Sequence, residues 1–174
     1  MVVEVGFGMG DSLLAMAAAD TDVDFLGIEV YASGVGQLMN NAAKKGVHNL
    51  RVYMADAVDV LQECLIDNSI KRFQLFFPDP WHKKKHHKRR IVNSHFVDLI
   101  RSKLILGGIF HLATDWQDYA HEMMSIMTTA EGFNNQFGES MFAPRPPYRP
   151  LTRFERRGER LGHGVWDLLF EKTQ

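Results

Sequence analysis

The sequence predicts an α/β fold, a mostly parallel seven-stranded sheet with helices on both faces and an antiparallel edge. Two observations carry this. Five short apolar runs alternate with helical stretches between Val2 and Thr129, and strands joined through helices lie parallel. Beyond Gly132 the alternation changes: Asn134–Phe142 and Val165–Phe170 read as two strands that pair as a hairpin-like unit around the loop Ala143–Pro150 and a short helix Thr152–Leu161. With 174 residues and 45% hydrophobic content the chain can bury one core, so a single domain over 1–174 is expected.

The first unit is strand, glycine loop, helix. Val2–Gly6 closes on Gly6-Phe7-Gly8-Met9-Gly10, and Asp11-Ser12 can cap a helix that runs through Leu13 to Ala19. Glycines there let the backbone approach a ligand closely, and the helix N-terminus offers free N–H groups. Phe25–Val30 is the second strand and ends on Glu29, nineteen residues after Gly10, where an acid can accept hydrogen bonds from both hydroxyls of a ribose. A helix Ala32–Lys45 stops at Gly46, and strand Leu50–Ala55 is followed at once by Asp56. Glu4, Glu29 and Asp56 thus lie in or just past three successive strands, and acids converging at the carboxyl edge of such a sheet suggest a nucleoside pocket.

A helix from about Val58 to Asn68 leads into strand Phe73–Phe77, in which only Gln74 is polar and which stops at Pro78 because proline cannot donate to a ladder. Asp79 stands between two prolines, so its backbone is restricted on both sides and its carboxylate is aimed. Trp81 offers a flat surface for stacking on a base. Lys83, Lys84, Lys85, Lys88, Arg89 and Arg90 follow with no acid among them, a candidate polyanion track. Helix Ser94–Leu104, a turn at Gly107-Gly108, strand Ile109–Thr114 ending at Asp115 and helix Tyr119–Thr129 complete the parallel part; Met123, Met124 and Met127 read as core filling.

The net charge of −1 hides an asymmetry, since the tract from Trp81 to Arg90 carries +6 and the remainder −7. Nucleic acid would be bound at one local site rather than over the whole surface. The single cysteine, Cys64, excludes an internal disulfide and fits a reducing cytoplasm. No apolar run is long enough to span a bilayer, and the histidines His82, His86, His87 and His95 lack a convincing set of metal-ligand partners, so neither a membrane nor a metal is expected.

Glu4-Val5-Gly6-Phe7-Gly8-Met9-Gly10, Glu29, Asp56 and Phe76-Phe77-Pro78-Asp79-Pro80-Trp81, with Lys83, Thr114-Asp115-Trp116 and Thr152-Arg153-Phe154-Glu155, resemble the bacterial tRNA (guanine-N7)-methyltransferase family. The resemblance spans Glu4 to Glu155. The first motif alone would indicate a class I S-adenosylmethionine-dependent methyltransferase with a Rossmann-like fold; the Pro-Asp-Pro-Trp stretch and its basic continuation are specific to the family. The resemblance implies methyl transfer from S-adenosylmethionine to N7 of a variable-loop guanosine in tRNA. It implies that Glu4, Gly6, Gly8, Gly10, Glu29, Asp56 and Asp79 line the cofactor site, with Asp79 also catalytic. Lys83, Asp115, Thr152, Arg153, Phe154 and Glu155 would hold the tRNA. It further implies a cytoplasmic enzyme, a monomer or weak homodimer, without an obligate protein partner.

Three competing readings differ in what they need. A nicotinamide dehydrogenase would place its third glycine at position 11, which is Asp11. A small-molecule methyltransferase would not need the basic tract, and a non-catalytic RNA-binding module would not need the aligned acids. Thr152-x-x-Glu155 also has the form of a capping box, which could orient Arg153 toward RNA. The family has a segment ahead of its glycine motif and this sequence starts almost at that motif, so a shortened form with an uncovered apolar face beside the first strand is expected.

Overall fold

The computed structural model describes residues 1–151, 155 and 164–174. The elements are β1 (Val2–Val5), α1 (Asp11–Ala19), β2 (Phe25–Ile28), α2 (Ala32–Lys45), β3 (Leu50–Tyr53), α3 (Ala57–Glu63), β4 (Ile70–Phe76), a 3-10 segment (Lys84–Arg89), α4 (Ser94–Lys103), β5 (Leu104–Thr114), α5 (Gln117–Thr129), β6 (Phe133–Asn135) and β7 (Trp166–Lys172). The strands form one seven-stranded sheet in the order β3-β2-β1-β4-β5-β7-β6. β1 to β5 pair in parallel, whereas β7 runs antiparallel to both β5 and β6. The reversal sits at the expected side of the sheet, with the reversed strand inserted one place in from the margin.

Alternation along the strands sends side chains to two apolar layers. Val3, Val5, Phe73, Leu75, Phe110, Leu112, Leu168 and Phe170 pack with Val60 and Leu61 of α3, Phe96, Val97 and Ile100 of α4, and Met123, Met124 and Met127 of α5. Val2, Phe25, Leu50, Phe76 and Ala113 face the other way, onto Leu13, Leu14, Met16 and Ala17 of α1 and Leu38 and Ala42 of α2. Among the described residues no helix is long and apolar enough to cross a membrane.

Several boundaries differ from expectation, each for a local reason. α1 is preceded by Gly10 in the left-handed conformation, φ 77°, and no side chain caps it; Asp11 is its first residue. α3 ends at Glu63 rather than Asn68, because beyond it Lys103 Nζ takes the Leu65 carbonyl, Ser69 Oγ takes that of Ile66, and Asn68 turns left-handed. The Gly107-Gly108 pair does not form the expected turn between helix and strand. It lies inside β5 as an irregularity, Gly107 at φ 74° with the pairing to β4 stepping between Ile70 and Arg72. β6 stops at Asn135, whose side chain accepts from the Phe137 N–H and donates to the Met141 carbonyl, turning the chain away from the sheet. Most of the helix expected over Thr152–Leu161 lies outside the described residues; Glu155 is helical.

The layer that α1 covers contains a buried polar group of residues no local pattern announces. Arg149, 1% exposed, donates through Nε and Nη2 to both oxygens of Asp167 (2.8 and 2.9 Å) and through Nη1 to Glu155 (2.6 Å). His111 Nε2 meets Asp167 Oδ1 at 2.7 Å, and the Tyr148 hydroxyl meets His111 Nδ1 at 3.0 Å. Burial disfavours the Asp167 carboxylate, but hydrogen bonds from His111 and Arg149 outweigh it and keep its pKa below the ordinary value. Burial likewise lowers His111, more than Asp167 raises it, so the imidazole is held neutral, donating at Nε2 and accepting at Nδ1.

Glu4 sits in the middle of β1 opposite Gln74 of β4, 3% exposed, and its Oε2 has no hydrogen-bond partner among the described residues. Burial pushes its carboxyl up to about 8, against the pull of Arg72 and Arg149. The folded chain therefore keeps a proton that the unfolded chain releases above about 4.5, and this contribution to stability is lost as pH rises from about 4.5 to about 8. In Glu4→Gln that component is absent. The unfolding free energy of the parent minus that of the variant should fall across the window, with a limiting slope of about 1.4 kcal/mol per pH unit. Urea unfolding at several pH values checks this; parallel profiles would mean that Glu4 ionises freely in the fold.

Candidate functional site

The site is built where β1 ends. The chain turns through Gly6, Gly8 and Gly10, all left-handed at φ 71°, 58° and 77°, a conformation that costs side-chain-bearing residues roughly 1–2 kcal/mol. On one flank the loop is pressed by α2, where a Cβ at Gly34 would lie 2.0 Å from the Gly8 carbonyl oxygen. On the other, none of the described residues stands within 4 Å of the position a Cβ would take at Gly6 or Gly8. A flat or charged ligand can approach the backbone there.

Glu29 ties this loop to the one after β2. Its Oε2 accepts from the Gly8 N–H at 2.8 Å, and its Oε1 accepts from Val30 (2.8 Å) and Tyr31 (3.1 Å). A carboxylate has about four acceptor positions, so these bonds leave about one on Oε2, room for one ligand hydroxyl without loosening the loop. Asp56 follows β3, exposed, and caps α3 by accepting from the Val58 N–H at 2.8 Å. Exposed apolar side chains flank both acids: Val30, Tyr31, Tyr53 and Met54. Sequence reasoning passed over them; their signal was apolar residues continuing past the strand ends into loops.

Asp79 lies at the mouth of β4 in a strained turn. Phe77 and Trp81, neither a glycine, have φ 53° and 46°, and Asp79 Oδ1 accepts from the Trp81 N–H at 3.1 Å. The carboxylate is exposed and held by one oxygen. A cleft of about 350 Å³ runs from Val5 and Gly6 past Phe76 and Phe77 to Asp79 and Trp81, so the glycine loop and the Pro-Asp-Pro-Trp turn share one opening. Asp115, half-buried, follows β5, and beside it Trp116 is 39% exposed with its ring edge 4.3 Å, centroid to centroid, from His82. That contact joins the start of the basic tract to the end of β5.

Within the tract Lys83, Lys84, Lys85, Lys88 and Arg89 are exposed, while Arg90 is 3% exposed and paired. The expected track of six cations is therefore corrected to five. Trp81 is not a bare platform either, since the Arg89 guanidinium lies 4.9 Å from its ring centroid. His87, Asp118 and Glu122 bring donor atoms within 4.8 Å of one another, and Arg90 bonds to all three, so the group already has a cation. Thr152, Arg153 and Phe154 lie outside the described residues; Glu155 is buried, 2% exposed, against Arg149.

Residues 1–168 match the family described as putative methyltransferase. The tRNA (guanine-N(7)-)-methyltransferase of Saccharophagus degradans is 63% identical over 173 residues, which are 99% of this chain and 76% of that protein. That of Alcanivorax borkumensis is 61% identical over 171 residues, 98% of this chain and 72% of its own length. Among solved structures, the 16S rRNA methyltransferase KamB superposes with a TM-score of 0.71 at 16% identity, over 99% of this chain and 87% of that one, a likeness of fold that identifies the sheet and its helices as Rossmann-like, class I methyltransferase architecture. With identities this high over nearly its whole length, the chain belongs to the tRNA (guanine-N(7)-)-methyltransferase family.

Proposed function

We propose that this chain transfers the methyl group of S-adenosylmethionine to N7 of a guanosine in the variable loop of tRNA, in the cytoplasm, with Asp79 at the reacting centre. The observation that carries the reading is a single opening: the glycine loop and the Asp79 turn share one cleft, beside five exposed cations. The residues present fit the cofactor. Among the described residues, open space over Gly6 and Gly8, a buried Glu4 oxygen without a partner and an acceptor position on Glu29 are features a nucleoside bearing an amino-acid tail would use. Glu4, Gly6, Gly8, Gly10, Glu29, Asp56 and Asp79 would hold it, with Val30 and Tyr31 as apolar cover. Bound there, the cofactor supplies a methyl group already activated by its sulfonium, which leaves the protein chiefly the task of placement.

Guanine N7 has a free lone pair and loses no proton on methylation, so no general base is required. Asp79, or Asp115 at the end of β5, accepts from guanine N1–H and the N2 amino group, which fixes the base and enriches N7 in electron density; adenine lacks that donor pair. Lys83 and the exposed cations after it meet phosphates. Thr152, Arg153 and Phe154 take RNA as the family resemblance implies, and Glu155, which follows them in the chain, is bonded to Arg149.

Glu29→Ala should weaken the cofactor by about 1.5–3 kcal/mol, the range for hydrogen bonds to charged groups, and should also loosen the loop whose N–H groups it holds. Calorimetry on the folded variant checks the first; unaltered affinity removes Glu29 from the site. Asp79→Asn preserves shape but turns one acceptor into a donor, so single-turnover methylation of tRNA should collapse while the melting temperature holds; a near-parent rate would sink the assignment. If three to five of the exposed cations meet phosphates, log K for tRNA should fall with log salt at a slope of roughly −2 to −3.5. Replacing Lys83, Lys84 and Lys85 together should flatten that slope, and equal slopes would mean that RNA binds elsewhere.

A further inference from the structure

Arg90 closes the basic tract, yet it faces inward. Its side chain is 1% exposed. Nε donates to the Pro80 carbonyl at 2.9 Å, Nη1 bonds to Glu122, and Nη2 reaches Asp118 Oδ2 at 2.9 Å and His87 Nε2 at 3.1 Å. The guanidinium carbon stands 4.6 Å from the centroid of Tyr119, a fully buried ring whose hydroxyl accepts from the Val92 N–H. A guanidinium can only donate, so His87 accepts at Nε2 and carries its proton at Nδ1. No phosphate can reach a group enclosed in this way without dismantling it.

The partners come from two places, which Arg90 bridges. Asp118, Tyr119 and Glu122 belong to α5, which is fixed to the core by Met123, Met124 and Met127; Pro80 belongs to the strained turn that carries Asp79. The links run consecutively from α5 to Arg90, to the Pro80 carbonyl, and through the Trp81 N–H to Asp79 Oδ1. Backbone held left-handed at Phe77 and Trp81 persists only where its surroundings impose it. We propose that Arg90 is a positioning residue, a clamp that holds the Pro78–Trp81 turn against α5 and thereby aims the Asp79 carboxylate. The proposal rests on the reading of Asp79 given above. Lysine cannot replace it, because a single ammonium does not span the carbonyl, two carboxylates and an imidazole as a planar fork does.

Arg90→Lys keeps the charge and so separates the clamp from a phosphate contact. Three quantities are measured on the full chain: the salt slope of tRNA binding, the single-turnover rate at saturating tRNA and S-adenosylmethionine, and hydrogen exchange at the Trp81 amide. The salt slope should match the parent, the rate should fall tenfold or more, and the Trp81 amide should exchange faster. Glu122→Gln, which leaves the tract untouched, should move the last two the same way by a few-fold. A parent-like rate with Trp81 protection intact in Arg90→Lys overturns the proposal. Should Arg90→Lys fail to fold, Glu122→Gln and Asp118→Asn decide it on the same two readouts, and no change in either overturns it. Faster exchange at Trp81 with an undiminished rate would keep the clamp but refute Asp79 as the group it serves.

Discussion

β1 is paired on one side by β2 and on the other by β4, and this one constraint organises the molecule. The chain leaves β1 toward β2 and β3, then crosses to the opposite side for β4 and β5, so the connections at the carboxyl ends of β1 and β4 diverge and leave a crevice between them. Side chains at that end need no special folding to converge. The register places Glu4 opposite Gln74, and the two strands release their chains at the glycine loop and at the Pro78 turn, the two walls of the same cleft.

Charge is handled differently on the two sides of this crevice. Behind it, Arg149 is paired with both Asp167 and Glu155 in the interior, where an unpaired ion would be costly, and neutral His111 donates to Asp167. In front, Lys83, Lys84, Lys85, Lys88 and Arg89 stay in water, where their field extends over roughly a Debye length of about 8–10 Å. Arg90 stands at the border between these regimes, chemically like its neighbours in the tract and electrostatically like the interior.

The parts of the fold legible in the sequence were those decided by local rules. α2 begins and ends where expected because Gly46 must be left-handed to stop it, and the strand before Pro78 ends where a proline removes a donor. The acids Glu29, Asp56, Asp79 and Asp115 stand out in the sequence because each lies within three residues of a strand's end. What escaped was decided at long range. Arg90 could not be told from Arg89 without knowing that α5, some thirty residues on, would bring Asp118 and Glu122 to it, as their separations of 28 and 32 show. His111 carried a faint signal, a titratable residue inside an apolar run, but its partners Tyr148 and Asp167 lie 37 and 56 residues away. Gly107-Gly108 misled because a glycine pair serves a bulge as readily as a turn.

The place of β7 bears on how the protein is born. Among the described residues β6 pairs with β7 alone, and β7 is the later of the two along the chain. During synthesis the parallel units from β1 to α5 can assemble as they emerge, but β5 keeps an open edge and β6 waits unpaired until Lys172 has cleared the ribosome. The same late strand delivers Asp167, the carboxylate that Arg149 and His111 need before they can be buried without loss. A nascent chain is thus exposed to strand-edge association until β7 arrives, and the closing event at that margin is insertion of a strand between two others rather than addition to an edge.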